Sequence, residues 1–194
     1  MRSLFLVLSS LTLLGHTARL QAQALTPQQV ITAATLPLPP ELRADATVLA
    51  LAADGNTTTL LRRGTNGMTC LGPVPGRAEF HVACYQDAME PFMARGRALR
   101  QSGVQGPQVD TVRFAEAAKG TLALPKQPAS LYSLSGGTFD PVTGTATGAR
   151  ALYVIYVPFA TTQTTGISAR PSGSSPWLMN PGTPKAHIMF TPSM

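Results

Sequence analysis

The stretch Arg63-Gly64-Thr65-Asn66-Gly67-Met68-Thr69-Cys70, followed by a Gly/Pro-rich segment over 72–76 and then by Cys84, decides how this chain is organised. It holds both cysteines and an Asn-Gly turn signal, and it leads into the most regular amphipathic helical pattern of the sequence. In an oxidising compartment two cysteines most simply pair with each other. A Cys70–Cys84 bridge closes a loop of about 15 residues, for which the chain-entropy model gives roughly 3 kcal/mol. A metal site is the alternative, but two cysteines outside a CxxC spacing are poor material for one. A bridge here would staple the exit of an upstream hairpin to the start of the downstream helix.

Upstream, Val48–Ala53 is apolar and Thr57–Arg63 is rich in β-branched residues, with Asp54-Gly55 between them. Asp-Gly favours a type I′ turn, so a hairpin is predicted in which Leu49 faces Leu60 and Val48 faces Leu61. Downstream, Met89, Phe92, Met93, Gly96 and Leu99 recur at helical spacing, with Arg95, Arg97 and Arg100 mainly on the other side. A weaker helical pattern covers Val109–Lys119 and stops at Gly120. Leu122 and Leu124, Ala129–Ser135, Leu152–Val157 and Ala186–Thr191 read as strands, with Leu152–Val157 central because it is apolar on both faces. Thr138–Gly148 reads as a flexible loop and Thr161–Pro176 as a polar one. The pattern predicts an α+β fold, with a mostly antiparallel sheet of about five strands and two to three helices packed on it.

The N-terminus carries a different kind of signal. Arg2, an apolar run from Leu4 to Leu14 and the end Ala22-Gln23-Ala24 are the parts of a secretory signal peptide. The run is about 11 residues, short of the roughly 20 that span a bilayer. The expected boundaries are therefore residues 1–24 as signal peptide and 25–194 as one exported domain, secreted or periplasmic. Thr26-Pro27-Gln28-Gln29-Val30 then opens a helix, with Thr26 as cap, Pro27 in the first turn, Gln29 completing a capping box and Leu25 and Val30 as staple. It fades near Thr35, and Pro37, Pro39 and Pro40 form an extended connector.

Several segments resemble a family of exported bacterial proteins that carry a domain of unknown function. They are Asn66-Gly67-Met68-Thr69-Cys70 with the later Cys84, Pro176-Trp177-Leu178-Met179, and Gly182-Thr183-Pro184-Lys185-Ala186-His187-Ile188-Met189. Leu124-Pro125, Pro128, Tyr132 and Val157-Pro158-Phe159-Ala160-Thr161 fit the same pattern, so the resemblance runs from about Leu49 onward. Many members carry Trp where this chain has Met68. The resemblance implies export and continuity of fold, and supplies no catalytic residues.

The formal charge of the whole chain is +6, with only 12% charged residues. Arg2 and Arg19 of that excess lie in the leader, and Arg62, Arg63, Arg77, Arg95, Arg97 and Arg100 cluster in the middle, partly offset by Glu79, Asp87 and Glu90. A solvated basic face is the plain reading, and a site for an anionic partner the other. No basic–aromatic interleaving points to nucleic acid. No HExxH, GxSxG, SxxK or phosphate-binding Gly loop occurs, and no cofactor is implied. His187, Met189 and Thr191 share one strand face and the more apolar Ile188 and Phe190 the other, which predicts His187 on a partly open surface or groove floor. A one-residue slip would reverse that. A strand histidine bonded to a neighbouring backbone group or to Tyr132 is the simpler alternative. Met189 with His187, joined by Met179, and the pair Met89 and Met93 are the material for copper, and the Met89–Met93 pair fits core filling better.

The function expected is a non-catalytic exported domain binding a small molecule or an envelope or extracellular protein, with Asn66, Tyr132 and His187 as the candidate ligand-binding residues. A hydrolase-like enzyme using His187 in a groove is the competing class.

Overall fold

The computed structural model of the protein describes residues 24–192. The predicted signal peptide falls on residues outside that range, apart from Ala24. The chain opens with α1 (Pro27–Thr35), and its start is set by local chemistry. Gln29 N–H donates to Thr26 Oγ1 and Thr26 N–H donates to Gln29 Oε1, so the capping box forms as expected. The proline connector is not extended throughout: Pro40 begins a one-turn helix, α2 (Pro40–Arg43).

The hairpin follows as β1 (Thr47–Leu51) and β2 (Thr58–Arg62). Leu49 faces Leu60 as predicted, but a bulge then sets Val48 opposite Arg62 rather than Leu61. The connection is not a type I′ turn either. Gly55 alone takes a left-handed φ there, and the Asp54 carboxylate organises the loop by accepting from the N–H groups of Asn56 and Thr57.

The opening stretch then forms an element the sequence did not announce. After β2 the chain crosses back over the start of β1 and adds β3 (Met68–Leu71) parallel to β1. Gly64 makes the crossing possible, because a Cβ there would sit 2.2 Å from the Asp45 carbonyl oxygen. Thr65 and Asn66 N–H both donate to that same oxygen. β4 (His81–Gln86) returns antiparallel to β3, and Cys70 lies directly opposite Cys84. The disulfide is present, yet it ties two neighbouring strands together rather than a hairpin exit to a helix start.

A 3-10 turn over Asp87–Met89 leads into α3 (Glu90–Gln101), with Pro91 tolerated in its first turn, and α4 (Gln108–Ala118) runs beside it. Leu122 and Leu124 form no strand. β5 (Ala129–Ser135) and β8 (Arg150–Tyr156) pair along their whole lengths. The segment read as a flexible loop folds into a hairpin, β6 (Thr138–Asp140) with β7 (Thr145–Thr147). The polar segment after β8 contains the one-turn helix α5 (Thr162–Thr165), and β9 (Trp177–Met179) and β10 (His187–Phe190) complete the sheet.

The sheet therefore has eight strands, in the order β2-β1-β3-β4-β5-β8-β10-β9, and not about five. All its pairings are antiparallel except β1–β3. Both faces are covered over much of their area. On one face α1 packs over Val48, Met68 and the disulfide, and the β6–β7 hairpin seats Phe139 against Phe80. On the other face Tyr85, Val154, Tyr156 and Met189 meet Met89 of the 3-10 turn, Phe92 of α3 and Phe114 of α4. Among the described residues no helix is long and apolar enough to cross a membrane.

Candidate functional site

The three residues singled out from the sequence do not meet. Asn66 is spent on the chain crossing: its Nδ2 donates to Leu42 O at 2.8 Å and its Oδ1 accepts from Met68 N–H at 3.1 Å. It precedes β3, and β4, β5 and β8 lie between that strand and β10, which places it about 19 Å from the His187 strand at ordinary strand spacing. Tyr132 lies on the α1 face, edge-on to Tyr153 at 5.3 Å. These two rings and Phe190 line a groove of about 440 Å³. His187 lies on the opposite face from Tyr132.

His187 is also not on an open surface. It is 7% exposed, directly opposite Tyr156 with the rings 5.0 Å apart, and its Nδ1 is 2.7 Å from Lys185 O. The face assignment made from the alternation is reversed, because the sheet is packed on both sides and Ile188 and Phe190 end up half-buried beside the tyrosine groove. Burial pushes the His187 imidazole below its ordinary value; the bond to Lys185 O pulls it up and the Lys185 charge pulls it down. The described hydrogen bonds give it no carboxylate or hydroxyl partner.

What the fold does assemble is a cluster of cations in a cleft of about 470 Å³ between the sheet, α3, α4 and the β1–β2 loop. Arg77, Arg97, Arg100, Arg113 and Lys185 all line it, with Asp54 the one carboxylate on its wall. Arg97 is buried and committed: Nη2 donates to Glu90 Oε1 at 2.6 Å and Nη1 to Tyr85 Oη at 3.2 Å, while Tyr85 Oη donates to Glu90 Oε2. Burial raises the Tyr85 phenol well above its usual range, against the pull of Arg97, so it stays a neutral donor.

Arg113 is 5% exposed and held at three points. Its guanidinium donates to Phe92 O at 3.1 Å and to Asp110 Oδ1, and it stacks over the Phe92 ring at 3.9 Å. Nearby, Gly96 leaves the space that lets it lie there, since a Cβ at Gly96 would come 2.9 Å from Arg113 Nη1 and 3.4 Å from Arg100 Nη1. Two guanidinia thus converge on the bare backbone of α3. Lys185 Nζ reaches Asp110 Oδ2 at 2.9 Å, so one carboxylate serves both Lys185 and Arg113. Burial works to raise the Asp110 carboxyl, but the bonds and charges from Lys185 and Arg113 outweigh it and hold the group below its usual range. Arg100 and Arg77 have no ion pair among the described residues. Arg113 Nε is buried without a hydrogen-bond partner, a costly condition for a charged donor.

The cations are thus under-neutralised on a wall that water only partly reaches, where charge interactions are stronger than in bulk. At the far end His81 adds a titratable group. Partial desolvation by the surrounding wall lowers its imidazole, with Glu79 raising and Arg77 lowering it further. Its Nδ1 lies 2.9 Å from Ser135 Oγ. No group of three or more His, Cys, Asp or Glu side chains that could hold a metal occurs among the described residues, and Met89 is core.

No family model, curated protein or solved structure matches the chain.

Sequence periodicity placed Arg97 on the solvated side of α3 and gave Arg113 no role. The available signals were a glycine in mid-helix among arginines and the Asp110/Arg113 spacing of three.

Proposed function

We propose that this protein is an exported, non-catalytic domain that binds a small anionic molecule in the cleft between α3, α4 and the sheet. One observation carries the reading: Arg100 and Arg113 converge at Gly96, Arg113 and Lys185 share one carboxylate, Asp110, and Arg100 has no ion pair among the described residues. An arriving anion supplies the missing negative charge, and guanidinium forks suit carboxylates and phosphates. Export is supported by the basic-apolar-small N-terminal pattern and by the disulfide, which belongs to an oxidising compartment.

The reading is tested by melting the protein in citrate, inorganic phosphate or octanoate against chloride at matched ionic strength. At least one of the three raises the melting temperature of the native protein, as ligand binding to the folded state requires. The Arg77→Gln/Arg100→Gln variant folds and loses that rise. No response to any of the three, or an equal response in the variant, refutes it.

A catalytic alternative rests on a different pair from the one expected. His81 and Ser135 are in hydrogen-bond reach at the cleft end, the geometry a serine nucleophile needs. Hydrolysis of an anionic ester that disappears in Ser135→Ala would favour it over simple binding.

A further inference from the structure

We propose that the ligand of this cleft is an amphiphilic anion, an aliphatic chain ending in a carboxylate or phosphate. The proposal rests on the anion-site reading and adds the ligand's chemical class. The cleft is built in two parts. Its charged part is the Arg100–Arg113 pair over Gly96, backed by Lys185. Its other part is apolar: Leu51 and Leu71 from β1 and β3, Val74 from the β3–β4 loop and Met93 from α3. A site for inorganic phosphate or citrate has no use for that second wall, and a purely apolar site would not gather five cations.

The lining is also long. His81 lies on the strand row it shares with Ser135 and Arg150, and Tyr156 lies six residues further along β8, about 20 Å away at the usual rise per residue. A lining of that reach accommodates an extended chain. The head belongs on the cleft wall formed by Arg100, Arg113 and Lys185, and the chain then lies toward Leu71 and Val74. Arg113, buried and pinned by Asp110 and Phe92, supplies fixed charge, while the exposed Arg100 closes over the head.

Isothermal titration of the purified protein tests this with hexanoate, octanoate and decanoate, and with octyl phosphate, octanol and inorganic phosphate. Octanoate or octyl phosphate binds, whichever is tighter naming the head, and octanol and inorganic phosphate bind about tenfold more weakly or worse. Each added methylene strengthens carboxylate binding about two- to fourfold, the upper figure being full burial of a CH₂. Arg100→Gln lowers affinity about tenfold and keeps the chain-length factor. Val74→Ser, at a half-buried loop position, keeps the head contribution and reduces that factor. If inorganic phosphate binds as tightly as octanoate and chain length has no effect, the amphiphile proposal is overturned and the anion reading stands. If octanol equals octanoate, or if nothing binds, both fall.

Discussion

Replacing Gly96 by alanine probes the arginine cluster through a change of sign. In the interior of an ordinary helix, Gly→Ala stabilises by about 1 kcal/mol, because alanine loses less backbone freedom on folding. At Gly96 the new methyl would lie 2.9 Å from Arg113 Nη1, and that nitrogen is held by Phe92 O and backed by the Phe92 ring. Pushing it aside forfeits a hydrogen bond from a charged donor, worth about 1.5–3 kcal/mol. The net effect in the native background is a loss of about 1 kcal/mol. With Arg113→Met already in place the obstruction is gone, and Gly96→Ala recovers its gain of about 1 kcal/mol. Urea unfolding of the four proteins gives the cycle, with an expected coupling of about 2 kcal/mol between the two positions. A Gly96→Ala protein stabilised by the same amount in both backgrounds would refute the placement of the Arg113 guanidinium against α3, and with it the geometry of the site.

Other consequences concern the scaffold. Replacing both cysteines by serine removes the tie between β3 and β4 and costs roughly 3 kcal/mol in urea unfolding, the chain-entropy value for a loop of this size; a loss below about 1 kcal/mol would mean that α1 packing alone fixes those strands. His187 is lowered in the folded state, so the unfolded chain takes up its proton first as pH falls. Stability is therefore complete above the ordinary histidine value and declines as pH drops through it toward the folded value. His187→Asn flattens that part of the pH–stability curve, and an unchanged slope would place the titration elsewhere. His81, lowered in the same direction, adds a positive charge to the cleft on protonation. Anion affinity accordingly rises on mild acidification, and His81→Gln removes the rise.

Where local signals agreed with one another, the sequence was enough. Thr26, Pro27 and Gln29 specify the start of α1 by hydrogen bonds confined to one turn, and β5 was legible residue for residue from Ala129 to Ser135. The strands that were missed are short or sit behind strong turn signals. Met68–Leu71 follows Asn-Gly and precedes a Gly/Pro segment, and Trp177–Met179 is only three residues long. Neither is a strand by itself; pairing with β1 and β10 makes it one. The His187 face was misjudged because period-two alternation separates core from solvent only when one face is open, and here both are packed. The arginine cluster was illegible for a related reason. It joins positions from α3, α4, the β3–β4 loop and the segment before β10, and Arg97 counts as a solvated helix residue until Tyr85 and Glu90 are placed beside it. Asn66 drew attention as a conspicuous polar residue beside the cysteine motif, and both its polar groups turn out to hold the backbone crossing.

The claim that Arg100 and Arg113 form an anion site on the wall of the cleft is tested most directly by the side-chain Nε–H resonances of ¹⁵N-labelled arginine during a titration with octanoate. Saturable shifts are expected at Arg100 and Arg113, and none at Arg95, whose guanidinium is taken up by Glu116 on the α3–α4 contact. Arginine resonances that all drift together with ionic strength, or an Arg100–Arg113 pair that stays still while the ligand binds, would contradict it.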